Sequence, residues 1–253
     1  MWELCSFGTR PAIRRAALHH REAQGIVRRG AEMMNEPLEY DRLVAFDFDG
    51  TLTVRDSFTA FLAWRAGPAR WLLGLVKLTP SIFAYAVDRD RGRLKGQFVR
   101  EFLGGQSVEA VEKSAKQFAQ EHAQSLFRPD AVATWRRWRK AGAKIVIVTA
   151  SPEIIVAPFA RGLGADMLIG SRLAVDTNGR IRGPLDGANC RAAEKVTRLR
   201  EIFGPDVRLT AAYGDTGGDH DMLQIADERG YRVFTGKPGG VGARPMRGRP
   251  TRA

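Results

Sequence analysis

One short stretch, LVAFDFDGTLT at residues 43–53, constrains the fold of this chain more than any other. Its first four residues are apolar, which is typical of a short buried strand. Asp47 and Asp49 follow directly, and because side chains alternate along a strand, the two are expected to point the same way. Gly50 and Thr51 then turn the chain away. The pattern predicts an α/β fold with two carboxylates at the carboxyl end of a strand, where open α/β sheets bind ligands.

The two carboxylates predict a metal site. Groups this close repel each other, and both stay ionised only when a cation or hydrogen-bond donors compensate their charge. Mg²⁺ is the expected cation because it takes oxygen ligands. Asp and Gly are also common in ordinary turns after strands, so this stretch alone leaves a purely structural turn open.

Two later segments supply groups that suit a phosphate. Residues 144–151 form a second run of β-branched residues that ends in small hydroxyl residues. There the Thr149 hydroxyl and the amides that follow it, beginning with Ala150, could hold a phosphate oxygen. Lys195 opens a helical pattern and places one cation where a phosphate site could use it. Each feature alone is more typical of ordinary structure than of a site.

A third apolar run, residues 207–213, also ends in carboxylates. Asp215 follows this run directly, and Asp219 comes after a glycine turn. In this order and spacing the four pieces resemble the four motifs of the haloacid dehalogenase (HAD) superfamily, subfamily IB, which includes the phosphoserine phosphatases. The resemblance covers roughly residues 41–234. It implies a doubly wound, mostly parallel sheet with a Rossmann-like core and a helical cap inserted after the first motif.

The resemblance also implies an activity and a role for each motif residue. The activity is Mg²⁺-dependent hydrolysis of phosphate monoesters, with Asp47 as the nucleophile that forms an aspartyl-phosphate. Asp49 would be the general acid and base and would give its backbone carbonyl to the metal, while Asp219 would bind the metal or hold a metal-bound water. The implied sets are catalytic Asp47, Asp49 and Lys195; phosphate-binding Thr149, Ala150 and Lys195; and metal-binding Asp47, Asp49, Asp215 and Asp219.

The segment between the first two motifs predicts the domain organisation. Between Asp49 and Thr149 lie 99 residues, too many for one strand–helix–strand connection. Apolar residues at three- and four-residue spacing predict helices there. The predicted parts are a disordered or non-native extension at 1–40, the core at 41–55 and 126–235, the helical cap at 56–125, and a disordered basic tail at 236–253.

Residues 71–87 bear on the substrate class. The segment is strongly apolar over 17 residues, contains Lys77 and Pro80, and is flanked by basic residues. It is shorter than the ~20 residues of a membrane-spanning helix. Peripheral contact with an anionic membrane is one interpretation, and a buried core within the cap is the other. The segment resembles the hydrophobic cap region of bacterial C-type phosphatidylglycerophosphate phosphatases, which implies a lipid phosphate as substrate.

Asp56 favours a small soluble monoester instead. It lies nine positions after Asp47, where phosphoserine phosphatases have an acidic residue that contacts the amino group of the substrate. The resemblance therefore implies a substrate-binding role, although an N-cap of the first cap helix explains the residue equally well. A third hypothesis is a non-catalytic regulatory protein that acts through its basic tails.

Charge and cysteine content bear on partners and compartment. Of the formal net charge of +12, residues 1–33 carry +3 and residues 236–253 carry +5. Such tails attract phosphates or acidic membranes, and no recognised nucleic-acid motif accompanies them, so no specific nucleic-acid partner is expected. The two cysteines, Cys5 and Cys190, form no disulfide framework. We expect a cytoplasmic protein, with peripheral contact at the inner face of the membrane as an additional hypothesis.

Overall fold

The computed structural model describes residues 41–238, which form one six-stranded sheet with helices. The strands are β1 Leu43–Phe46, β2 Lys144–Pro152, β3 Met167–Val175, β4 Ile181–Asp186, β5 Leu209–Gly214 and β6 Ala226–Tyr231. The helices are α1 Ser57–Asp88, α2 Arg91–Leu103, α3 Val108–Leu126, α4 Pro129–Lys140, α5 Glu153–Leu163, α6 Ala193–Phe203 and α7 His220–Gln224. The extension predicted at 1–40, and residues 239–253 of the predicted tail, lie outside the described residues.

The sheet is almost entirely parallel. The strand order is β4-β3-β2-β1-β5-β6, and within the described residues the pairing of β3 with β4 is the antiparallel one. Helices α1 to α4 follow the first acidic motif before the chain returns to the sheet at β2. The predicted fold class, a mostly parallel α/β sheet with a helical insertion, is confirmed.

The central strand β1 is buried on both faces of the sheet. Val44 and Phe46 pack into one hydrophobic cluster, while Leu43 and Ala45 pack into another, as alternation along a strand requires. The Phe46 ring stacks on Tyr213 of β5, with ring centroids 4.6 Å apart. This packing fixes the carboxyl end of β1, from which the first acidic motif leaves the sheet.

Two further elements complete the sheet and its core. A hairpin over residues 175–181 joins β3 to the antiparallel edge strand β4. The tryptophans of α4 belong to the core and not to a stacking surface: Trp135 is almost fully buried, and the Trp138 Nε1–H donates to the Tyr213 hydroxyl at 2.9 Å.

The second half of α1 corrects one interpretation of residues 71–87. The helix is interrupted at Gly67, and beyond it five apolar side chains are largely exposed: Leu72 (64%), Leu73 (61%), Val76 (64%), Phe83 (70%) and Val87 (87%). A buried core within the cap is therefore wrong for this face, because the inner face of the helix already fills the space against α2. None of the helices within residues 41–238 has the length and hydropathy needed to cross a membrane.

Candidate active site

The first acidic motif begins one residue after β1 ends. The Asp47 N–H donates to the Tyr213 carbonyl of β5 at 2.9 Å, and the chain then turns through residues 48–52. Because β1 ends at Phe46, the alternation argument does not apply to Asp47 and Asp49. The two side chains line the same cavity, but their carboxylates have different partners.

Lys195 binds the Asp47 carboxylate directly. From the first turn of α6 its Nζ donates to Asp47 Oδ1 at 2.6 Å, to Asp219 Oδ1 at 2.7 Å and to the Val148 carbonyl at 2.6 Å. Burial by itself lowers the pKa of Lys195, but the two carboxylates outweigh burial and raise the pKa above its usual value. Lys195 is therefore a fixed positive charge beneath the site.

Three carboxylates converge beside this lysine. One oxygen from each of Asp47, Asp215 and Asp219 lies within 4.8 Å of the others. Ionised, they carry three negative charges against the single charge of Lys195. Burial raises the pKa of Asp47 to about 7, against the attraction of Lys195. A divalent cation with oxygen ligands would compensate the remaining charge, so the residues present fit Mg²⁺.

The turn leaves room for these carboxylates. Gly50 has a φ of +84°, and a Cβ built on it would lie 2.2 Å from Asp215 Oδ2. Asp219 is held from the other side, since its Oδ2 accepts the Thr216 N–H at 2.9 Å and the Asp215 N–H at 3.2 Å. Two loops from neighbouring strands thus position the cluster.

The Asp49 carboxylate lies apart from the three-carboxylate cluster. Its Oδ1 accepts the Ser57 N–H at 2.6 Å and its Oδ2 accepts the Ser151 hydroxyl at 2.5 Å. Burial, and next the nearby Asp56, raise the pKa of Asp49 to about 6. The side chain thus connects the start of α1 with the end of β2, where it can exchange a proton with a group in the cavity.

The predicted phosphate-binding residues line the same cavity, whose volume is about 200 Å³. Thr149 is buried, and its Oγ1 accepts the Ser151 N–H at 3.0 Å, which leaves the hydroxyl hydrogen available to a ligand. Ala150 is the next residue of the lining. Both lie at the carboxyl end of β2, beside Asp47 and Lys195.

Asp56 lines the cavity and caps a helix. Its Oδ1 accepts the Thr59 N–H at 2.6 Å, so the N-cap interpretation is confirmed. A second carboxylate oxygen remains for other contacts. Asp56 therefore caps α1 and lines the cavity at the same time, and the two roles do not exclude each other.

Lys95 of α2 also lines the cavity, although no sequence pattern distinguishes it from the other basic residues at 89–95. Its Nζ donates to the Ala150 carbonyl and, at 3.0 Å, to Asn189 Oδ1. Burial lowers the pKa of Lys95 to about 8, against the attraction of Asp56 and Asp49. Lys95 differs from the neighbouring basic residues in the side of α2 on which it lies, and this side depends on how the helix packs. Ser151, which donates to Asp49, likewise has no motif signal of its own as the third residue of a Thr-Ala-Ser run.

The sequence and the fold of this chain both match known proteins, in agreement with the resemblance to the haloacid dehalogenase superfamily. The model of haloacid dehalogenase-like hydrolases matches residues 44–224. Protein CicA of Caulobacter vibrioides is 67% identical over 207 residues, which are 82% of this chain and 91% of that protein. A protein of unknown function from Bordetella pertussis Tohama I superposes with a TM-score of 0.62 at 22% identity, covering 74% of this chain and 87% of that one. A phosphoserine phosphatase in apo form has a TM-score of 0.52 at 22% identity, covering 75% and 85%.

Proposed function

The chain belongs to the haloacid dehalogenase-like hydrolase family, and we propose that it is a Mg²⁺-dependent phosphatase that hydrolyses phosphate monoesters through an aspartyl-phosphate on Asp47. One observation carries this proposal. The Asp47 carboxylate is held by Lys195 in a cavity that it shares with Thr149 and Asp49, beside two further carboxylates. Nucleophile, phosphate donors and proton carrier therefore meet in one place.

The residues divide the work of two displacement steps. An oxygen of Asp47 bonds to phosphorus while the bond to the ester oxygen breaks, and Asp49 gives that oxygen its proton. Asp49 then takes a proton from the water whose oxygen bonds to phosphorus, while the bond between phosphorus and the Asp47 oxygen breaks and inorganic phosphate leaves. Throughout, Lys195 keeps Asp47 in place, and the Thr149 hydroxyl and Ala150 amide bind phosphoryl oxygens.

The metal site would be formed by the carboxylates of Asp47, Asp215 and Asp219, together with the backbone carbonyl of Asp49. Bound Mg²⁺ supplies Lewis-acid stabilisation of the charge on the phosphoryl oxygens. Asp219 also accepts a hydrogen bond from Lys195, so it would contact both positive charges of the site, Lys195 and Mg²⁺. Asp56 would contact the part of the substrate that leaves, since it lines the cavity on the side of α1.

We propose further that the substrate is a lipid phosphate. The exposed apolar residues of α1 support this assignment, because Leu72, Val76, Phe83 and Val87 are spaced by four, seven and four residues and so form one face about 22 Å long. A continuous exposed apolar face of this kind marks an interaction site. Its expected partner is an anionic membrane, in keeping with the formal net charge of +12.

The test is phosphate release by the full chain from three substrates: p-nitrophenyl phosphate, phosphatidylglycerophosphate in mixed micelles, and phosphoserine in buffer. We expect turnover that EDTA abolishes and that Asp47→Asn reduces about a thousandfold or more. Asp206→Asn, an exposed acid outside the site, is the matched control.

The outcomes separate the activity from the substrate class. Turnover of the lipid but not of phosphoserine supports both parts of the proposal. Turnover of phosphoserine alone contradicts the lipid assignment and keeps the phosphatase. If wild type and Asp47→Asn are equally inactive on all three substrates, the phosphatase proposal is wrong.

A further inference from the structure

A second, larger cavity opens beside the active-site cavity. Its volume is about 920 Å³, and it lies between α2 of the cap and the loop that leads from β4 to α6. Its charged lining consists of Arg89, Arg91, Arg93, Arg100, Arg191 and a single acid, Asp90. We call it the arginine cavity. Arg91, Asn189 and Arg191 line both cavities, so the two spaces adjoin.

Most of the positive charge in the arginine cavity is uncompensated by protein groups. Arg93 pairs with Asp88, and Asp90 Oδ1 is used to cap α2 through the Arg93 N–H at 2.9 Å. Within residues 41–238, Arg91, Arg100 and Arg191 take part in no ion pair. Guanidinium groups gathered around one space repel each other, and an anion that binds among them relieves this repulsion.

The position of the arginine cavity relative to the active site is set by backbone packing. Gly96 of α2 lies against β4, and a Cβ built on it would be 3.3 Å from the Gly183 carbonyl oxygen. Arg91 and Arg100 lie on either side of this contact along α2. Lys95 of the same helix reaches the active-site cavity, so a single helix presents cations to both spaces.

We infer that the arginine cavity binds a second anionic group of the substrate. This inference rests on the proposed phosphatase activity and names its substrate class: a phosphate monoester that carries another phosphate, phosphodiester or carboxylate a few bonds away. Guanidinium groups bind such oxygens in pairs. Tyr85 and Arg89 at the end of α1 place the arginine cavity next to the exposed apolar face, so a phosphodiester of a lipid headgroup is one source and a soluble bisphosphate is the other.

The test compares substrates that differ only in the second anion. Phosphate release is measured for n-propyl phosphate and for propane-1,3-diyl bisphosphate, with Mg²⁺ and the full chain. We expect wild type to prefer the bisphosphate by about tenfold or more in kcat/KM, as charge-assisted hydrogen bonds to one further anion allow. A short-chain phosphatidylglycerophosphate below its micelle concentration is the lipid arm.

Arg100 is the residue to change, because it lines the arginine cavity and not the active-site cavity. In Arg100→Ala we expect the preference ratio to fall by about tenfold, and in Arg100→Lys we expect part of it to return. Arg208→Ala, which removes an exposed arginine paired with Asp227, is the matched control and should keep the wild-type ratio.

The outcomes distinguish this inference from the proposed function. If wild type hydrolyses n-propyl phosphate and shows no preference for the bisphosphate, or if the ratio survives in Arg100→Ala, the second anion site is wrong and the phosphatase stands. If no monoester is hydrolysed, calorimetric binding of the bisphosphate to wild type and to Arg100→Ala still decides the inference: equal affinities overturn it. Preference for the short-chain lipid over the soluble bisphosphate assigns the source to a headgroup.

Discussion

Gly50 shows how a single residue can limit the chemistry of this site. It lies between Asp49 and Thr51 with a φ of +84°, which residues other than glycine rarely adopt. Because it has no Cβ, there is room for the Asp215 carboxylate. The glycine therefore has two functions, one in the turn and one in the metal site. The sequence predicts the first, since a turn follows β1, while the second depends on a residue 165 positions later in the chain.

Substitution of Gly50 should cost more stability and activity than substitution of a glycine that has the same backbone conformation but open space around it. We expect Gly50→Ala to lower the free energy of unfolding by more than ~2 kcal/mol and to remove most phosphatase activity, because the new Cβ displaces Asp215. The measurements are urea unfolding and phosphate release. Gly142→Ala is the control: its φ is +75° with nothing within 4 Å, so it should cost ~1 kcal/mol and keep activity. Equal losses of activity in both variants would contradict this account.

Other residues of the site differ in how far the sequence predicts their position. Asp47, Lys195 and Asp219 were predicted together from motif order, and the structure joins them through two hydrogen bonds of Lys195. Their catalytic roles stay predictions. Ser151 and Lys95 carry no motif signal of their own, because a serine after a strand and a lysine in a basic helix are common. Their contacts with Asp49 and Ala150 arise only when β2 and α2 pack around the same cavity.

At the scale of secondary-structure elements, the composition of α1 could not decide whether its apolar residues are buried or exposed. An apolar helix has the same sequence pattern whether its outer face is covered by protein or exposed to solvent, because the hydrophobic effect only requires that some apolar surface be removed from water. What covers a face is determined by neighbouring elements. Here α2 contacts the inner face through Trp71, whose ring centroid lies 4.9 Å from that of Phe102, and the outer face is left largely exposed within residues 41–238.

The exposed face of α1 should be needed for membrane binding. We expect the double variant Val76→Glu/Phe83→Glu to reduce binding to vesicles that contain an anionic lipid by about tenfold or more, since burial of both side chains is lost and two like charges approach the surface. Co-sedimentation with such vesicles is the measurement. Val175→Glu, which changes an exposed valine at the end of β3, is the matched control. Unchanged sedimentation of the double variant would exclude this face as the membrane contact.

At the scale of the whole molecule, the helical insertion and the sheet share one site. Lys95 comes from α2, while its acceptor Ala150 lies in β2 and its acceptor Asn189 follows β4. Asp49 provides a second connection through the Ser57 N–H at the start of α1. The active-site cavity therefore exists only when both parts are in place. The insertion therefore forms part of the cavity wall and also helps to hold Asp49 in place.

Lys95 should contribute to substrate binding in a pH-dependent way. The pKa of Lys95 is lowered to about 8 by burial, so the group carries its charge below that pH and loses it above. We expect kcat/KM of wild type to fall as the pH rises through 8, because an anionic substrate loses an attractive charge. Lys95→Met should lack this fall and should have a raised KM at pH 7. Lys113→Met, an exposed lysine of α3, is the control; a pH profile in Lys95→Met identical to wild type would contradict the role.

The sequence by itself determined the buried β1 and the other two strands that lead into motifs, the helical insertion after the first motif, and the four motifs whose residues surround one cavity. It could do so because these features depend on local alternation, helical spacing and short motifs, which a linear pattern records. Only the tertiary structure decided that Lys95 and Arg191 face the cavities, that Gly50 makes room for Asp215, and that the outer face of α1 is exposed. Those properties depend on helix phase and on residues that are distant in the chain, and no local pattern of residues specifies which surfaces meet.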